Sequence, residues 1–161
     1  MKHLSLLCLL LVLISCDSED DTVNKNGDVL TYHYFENARV HLDSNNFTSI
    51  ENGVNRVFEY EFVADDNPNL ADDEFAERIL FEVPLNMDNF SFSNQELNTI
   101  HAYYDKYCFC LIEGSIPLST GTIRGTRINS STFEIEINVE FEDFGTISKV
   151  ITANFVRSNL R

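Results

Sequence analysis

Positive charge is scarce in this sequence: 11 Lys and Arg stand against 26 Asp and Glu in 161 residues, a formal net charge of -15. Nothing in such a chain would release counterions from a phosphate backbone, which excludes nucleic acid as a partner class. Tryptophan is absent, so stacking on sugar rings would fall to tyrosine, and a carbohydrate-binding reading is weakened. No apolar run is long enough to span a bilayer, and no internal repeat with a period of roughly 20–50 residues occurs. Also missing are Gly-x-Ser-x-Gly, His-Glu-x-x-His and any phosphate-binding glycine loop. Nucleophile-elbow hydrolases, zinc proteases and nucleotide-binding loops therefore have no footing here.

What is present argues for a folded domain. Apolar residues make up 43% of the chain, and 13 Phe with 6 Tyr bury enough surface to offset chain entropy. The length suits one domain and a short appendage. The appendage is at the start. Met1, Lys2 and His3 are followed by an apolar run from Leu4 to Ile14, whose helix would reach roughly 16 Å, about half the hydrocarbon thickness of a bilayer. This predicts a signal peptide rather than a membrane span.

The run ends in Leu13-Ile14-Ser15-Cys16, which resembles the lipobox of bacterial lipoproteins. The resemblance implies cleavage before Cys16 and transfer of a diacylglyceryl group to its thiol. Further acylation, palmitate included, would complete an anchor that a single chain cannot supply. Asp17-Ser18-Glu19-Asp20-Asp21 comes directly after it and resembles the acidic export signal of Bacteroidota-type surface lipoproteins. That likeness implies an outer-membrane, cell-surface location. Cleavage removes Lys2 as the only charged residue, so the mature chain is one unit more negative. Such a surface is repelled by anionic headgroups and favours cationic partners.

The expected organisation is a leader over residues 1–15, a flexible acidic tether over 16–28, and a single β domain over 29–161. Period-2 alternation dominates the domain. Phe133, Ile135, Ile137, Val139 and Phe141 interleave with Glu134, Glu136, Asn138, Glu140 and Glu142, the pattern of a strand half-buried on a core. Strands are predicted near 29–35, 38–42, 55–63, 78–84, 107–113, 121–128, 132–142 and 147–156. Short turn-bearing links at Asn129-Ser130-Ser131 and Asp143-Phe144-Gly145 predict an antiparallel meander for the last three. Ser93 and Glu96 have capping-box spacing and open the one candidate helix, while Leu70 to Ile79 could hold a single helical turn. The predicted fold is all-β: an antiparallel sandwich or small barrel of about eight strands, with at most one short helix. The C-terminal pattern over residues 107–156, with Gly121, Gly125, the Phe133–Phe141 strand and Phe155, resembles the ending of small all-β Bacteroidota lipoproteins of unknown function. This likeness implies a fold and a compartment, and no chemistry.

Candidate chemical sites are few. Asp65, Asn67, Asn69 and Asp73 have the spacing of calcium-loop positions 1, 3, 5 and 9. Leu70 stands where such a loop needs glycine, and Ala76 where a closing glutamate belongs. The expectation is a solvated acidic loop with at most weak calcium binding, and no other cofactor. Cys108 and Cys110 would sit nearly 7 Å apart on an extended strand, just beyond a comfortable disulfide, and are expected to be buried thiols. Zinc would need help from His33, His41 or His101, which are scattered in sequence. The glutamates at 134, 136, 140 and 142 lie close enough in pairs for glycosidase chemistry, but a row of acids on a polar strand face normally lies in solvent. Aromatic clusters at Tyr32–Phe35 and Tyr103–Tyr107 are expected to give alternate residues to the core.

No catalytic constellation emerges. The chain reads as a non-enzymatic extracytoplasmic lipoprotein, membrane-held through Cys16, that binds an unknown protein or small molecule. Two alternatives are a lipocalin-like carrier with a hollow apolar interior and an immunity-type lipoprotein that neutralises a basic toxin.

Overall fold

A computed structural model describes residues 22–23, 27–65, 74–110 and 114–160. The leader, Cys16, most of the predicted tether, and Asn67, Asn69 and Asp73 lie outside the described residues. Ten strands are present: β1 (Thr22–Val23), β2 (Val29–Leu42), β3 (Thr48–Val63), β4 (Phe75–Pro84), β5 (Asn89–Ser93), β6 (Tyr103–Cys108), β7 (Ile116–Pro117), β8 (Gly121–Asn129), β9 (Thr132–Glu142) and β10 (Thr146–Arg157). They form one sheet in the order β5-β8-β9-β10-β2-β3-β4-β6-β7, with β1 also on β2.

The all-β fold and the C-terminal meander are as the periodicity predicts: β8, β9 and β10 pair antiparallel in sequence. Three features differ. The sheet is not purely antiparallel, because β10 runs parallel to β2, with Val156 opposite His33 and Arg157 opposite Tyr34. The sheet is open rather than closed as a barrel, with β5 and β7 at its ends. Thr22 and Val23, inside the stretch expected as tether, pair with Leu30 and Val29.

Boundaries also shift. The strand predicted over 107–113 lies instead at Tyr103–Cys108, and β5, with Phe90 and Phe92 alternating with serines, was not foreseen. Phe75 to Ile79 is strand and not helix. The capping box is real, with Glu96 Oε2 accepting from the Ser93 amide at 2.9 Å, but it opens a 3-10 helix over Asn94–Ile100.

One face of the curled sheet builds the main core. In β9 the apolar residues are buried, and the glutamates and Asn138 between them are exposed. Phe58 on β3 sits at the centre, with ring centroids of Phe81, Phe133, Phe90 and Phe155 at 5.0, 5.2, 5.7 and 5.9 Å. Those partners come from β4, β9, β5 and β10, so the two halves of the sheet meet ring to ring and fill the interior. Each such ring stabilises the fold by roughly 1.5–3 kcal/mol through burial, with edge-to-face contacts adding to it. Gly125 on β8 makes room for this packing: a Cβ there would lie 2.2 Å from Phe90 Cζ.

Buried charges close the core at opposite ends. Arg56, 1% exposed, stacks its guanidinium 4.4 Å from the Phe133 ring centroid and donates to the carbonyls of Met87 and Leu85. Glu77, 4% exposed, accepts from Tyr60 Oη and Tyr104 Oη at 3.1 Å each, and Lys149 Nζ reaches both its oxygens. Burial and the Glu77 carboxylate raise both tyrosine pKa values above the ordinary phenol value. Neither charge is left alone, which is the condition for burying one.

The hairpin of β2 and β3 builds a second, smaller core on the opposite face. Asn37 takes a left-handed conformation, φ 57°, and Ala38 faces both Asn55 and Asn52, so the ladder bulges. Gly53 permits the close approach, since a Cβ would lie 2.6 Å from the Ala38 carbonyl. Bulges bend strands, and here the distal arm folds back over the outer face of β3, β4 and β6. Val40 and Ala38 pack there on Val57, Leu80 and Phe35, with Ile50, Tyr103 and Leu160 alongside.

Candidate functional site

The folded-back arm leaves a groove of about 460 Å³ between itself and the sheet. Its floor is the outer face of β2, β3, β4 and β6, where the period-2 pattern places Thr31, His33, Glu59, Glu61, Arg78 and Tyr107. Register sets the order: Thr31 faces Glu61, Glu61 faces Arg78, and Arg78 faces Asp105, a row running straight across four strands. His33 lies opposite Glu59 in the next row but one along β2 and β3. The other wall comes from Thr48, Ser49 and Ile50 of the arm, with Ser158 to Leu160 behind it.

A rigid polar network holds one side. Arg78 donates from Nε and Nη2 to Asp105 Oδ2 at 3.0 and 2.7 Å, and from Nη2 to the Thr48 carbonyl at 3.0 Å. The hydroxyls of Thr48 and Ser115 both donate to Asp105, and the Thr48 amide donates to Ser115 Oγ at 2.9 Å. This network pins the arm to β4 and β6. Asp105 is 3% exposed; its charge is therefore spent on Arg78 and the two hydroxyls.

The other side is less satisfied. Glu59 lies 3.6 Å from Arg78 Nη1 and is 13% exposed. Burial raises its carboxyl pKa above the ordinary value; Arg78 pulls it back in part and Glu61 pushes it up further. Arg78 itself loses by burial but is raised overall by Asp105 and its hydrogen bonds. The Thr31 hydroxyl is buried with no hydrogen-bond partner among the described residues. Arg78 faces Asp105 at 2.7 Å, Glu59 at 3.6 Å and Glu61 across the register, so the acids outnumber this cation and the potential of the groove is negative. Phe35, Ile50 and Leu160 supply apolar surface beside them.

The sequence-level candidates fall elsewhere. Asp65 lies just beyond β3, exposed, its amide donating to Asp28 Oδ1 at 3.0 Å, and its carboxylate packs on Gly27. Among the described residues, no group of three or more His, Cys, Asp or Glu is arranged to hold a metal ion. Glu134, Glu136, Glu140 and Glu142 line the open outer face of β9, all exposed. His33, His41 and His101 lie at three separate places: His33 in the groove, His41 farther along β2 near Glu51 at 3.9 Å, and His101 bonded to Glu82 at the helix end. In the aromatic clusters Tyr34 and Tyr104 are buried in the main core, but Phe35, next to Tyr34, is buried too, in the smaller core on the opposite face, so burial is not confined to alternate residues.

The cysteines are not two buried thiols. Cys108 and Cys110 are joined as a disulfide, with Cα atoms 5.2 Å apart. A bend at Phe109 and Cys110, directly after β6, brings them closer than an extended strand would allow.

The groove residues went unnoticed in the sequence because Glu59 and Glu61 read as ordinary outward positions between Phe58, Tyr60 and Phe62. A signal was available in Arg78, the lone cation of the mostly apolar run from Phe75 to Val83. In comparisons with known proteins, no family model, no curated protein and no solved structure matches this chain.

Proposed function

We propose that the chain is a lipid-anchored binding module of the cell surface, whose ligand enters the groove between the β2–β3 arm and the sheet and is held there without chemical change. The anchor rests on the Leu13–Cys16 motif and the acids after it. Binding rests on one observation: Glu59 and Glu61 stand in a concave site, next to apolar wall, while the neighbouring Arg78 is matched to Asp105. The fitting ligand is an amine or guanidinium on an apolar body, such as a lysine or arginine side chain of a peptide. Rings fill the interior of the main core, which favours this groove over the lumen of a lipocalin-like carrier. A second reading draws on the open face of β9. Among the described residues, the cation nearest its four exposed glutamates is Arg124, 3.9 Å from Glu136. That face suits a basic protein, as an immunity-type lipoprotein would need.

The anchor is tested by fractionation. Cys16→Ala is expected to release the protein from membranes or leave its precursor uncleaved; a variant still processed and membrane-bound refutes it. The groove is tested by melting the protein with matched amines and carboxylates. Amines are expected to raise the melting temperature, and Glu59→Gln with Glu61→Gln to abolish the rise. Equal effects of acids and amines would refute the site. If binding of a basic protein instead survives that double variant and weakens steeply with salt, the β9 face is the surface in use.

A further inference from the structure

We propose that the Cys108–Cys110 disulfide is a dithiol-oxidising site, and that its substrate is a polypeptide carrying two thiols next to an apolar residue. This inference is independent of the groove between the arm and the sheet. Cys110 is exposed and Cys108 half-buried, so one sulfur is open to attack from solvent while the other leaves into the protein. Only Phe109 separates them. Closing so short a loop restricts the unfolded chain far less than a long one would, and the bond adds correspondingly little to stability. The bend at Phe109 and Cys110 sets the two Cα atoms 5.2 Å apart, a separation that a disulfide accepts. Exposed disulfides that add little to the stability of the fold are the ones that exchange readily.

Beside this bond lies a mostly apolar groove of about 250 Å³, lined by Val63, Phe75, Ala76, Tyr107 and Cys108 itself, with one carboxylate, Glu74, among its lining. Phe109 is 79% exposed, and Val63 and Tyr107 are 40% exposed each. A side chain of this size left in water between two cysteines, next to an open apolar surface, is the arrangement that would hold an unfolded or extended segment in place for exchange. In the exchange, a substrate thiolate attacks Cys110 Sγ, the sulfur–sulfur bond breaks, and Cys108 departs as a thiolate. The second substrate thiolate then attacks the mixed disulfide and releases Cys110. The substrate is oxidised to a disulfide, and the two protons it loses end on Cys108 and Cys110. A low-molecular-weight disulfide restores the starting state by the same exchange in reverse.

The test uses the full chain and reads the thiols by alkylation and mass on the tryptic peptide 107–124, which trypsin releases after Lys106 and Arg124 and which holds no other cysteine. Both sulfurs are expected to resist alkylation before reduction. Incubation with a synthetic dithiol peptide bearing a neighbouring leucine should convert both to thiols, with one peptide disulfide formed per protein. The same peptide with serine in place of leucine should react about tenfold more slowly, the scale of one apolar contact in a pocket. Phe109→Ala should erase that difference while leaving the equilibrium with glutathione unchanged. Two free thiols in the untreated protein would overturn the proposal. So would a disulfide that survives excess dithiol peptide, or equal rates for the leucine and serine peptides.

Discussion

Glu59 and Glu136 begin alike, as acids at outward positions of alternating strands, and end in different surroundings. On β9 the outer face is open, and its glutamates stand in water with Arg124 as a loose neighbour. On β3 the outer face is roofed by the chain's own hairpin, so the same alternation yields a partly dehydrated carboxylate beside a fixed Arg78–Asp105 pair. Alternation therefore reports which way a side chain points, and only tertiary structure decides what meets it there. The deciding element is local: the left-handed Asn37 and the bulge at Ala38 bend the hairpin back.

The contrast predicts its largest effect at the two arginines. Arg78→Ala strands the Asp105 carboxylate in the covered network and is expected to cost about 3–5 kcal/mol in denaturant unfolding. Arg124→Ala on the open face should change stability by less than about 0.5 kcal/mol. Equal costs would break the distinction between the faces.

A middle-sized effect is expected at the bend. Gly53→Val places side-chain atoms against the Ala38 carbonyl, 2.6 Å from even a Cβ, and should destabilise by about 1–3 kcal/mol. Amide exchange should quicken in the arm first, at Thr48 and Ile50, while β8 and β9 stay protected. Exchange that quickens uniformly would mean the arm is not a separate unit.

pH sharpens the comparison further. Glu59 has its folded pKa raised, so the folded state holds its proton more tightly than the unfolded one. Its contribution to stability is fully present below the unfolded pKa and is lost as pH rises through the folded pKa. Glu59→Gln, which mimics the protonated form, should therefore match the parent in acid and become more stable than it towards neutral pH. A difference that runs the other way, or none, would contradict the burial of this carboxylate. The smallest effect concerns calcium: millimolar calcium is expected to move the melting temperature by no more than about 1 °C, and a rise of several degrees would revive the Asp65–Asp73 loop as a binding site.

Much of the fold was legible because its cause is local. Period-2 alternation places β4, β9 and the second half of β3, and richness in β-branched residues places β8 and β10, within a few residues of their observed bounds, and the gap between 35 and 38 coincides with the bulge at Asn37. The parallel contact of β10 with β2 was not legible, since it joins residues more than a hundred positions apart through two pairs of backbone partners. Nor was the 3-10 form of the capped segment, because Ser93 and Glu96 specify how the helix begins and not how tightly it winds. The groove was hidden because its walls come from separate strands and from the residues beyond β10. Its single clue, Arg78 in a mostly apolar run, signals a charge partner without naming Asp105.

An unclosed sheet carries two free borders, each a template on which neighbouring copies could lace together. Here one border is β7, two residues ending in Pro117, which offers no amide hydrogen for pairing. The other is the five-residue β5, where polar Asn89, Ser91 and Ser93 flank Phe90 and Phe92 and the chain turns at once into the 3-10 helix. Crowded side by side, molecules built this way meet at these two borders only short margins, one ended by a proline and the other by a helix, which disfavours lacing there.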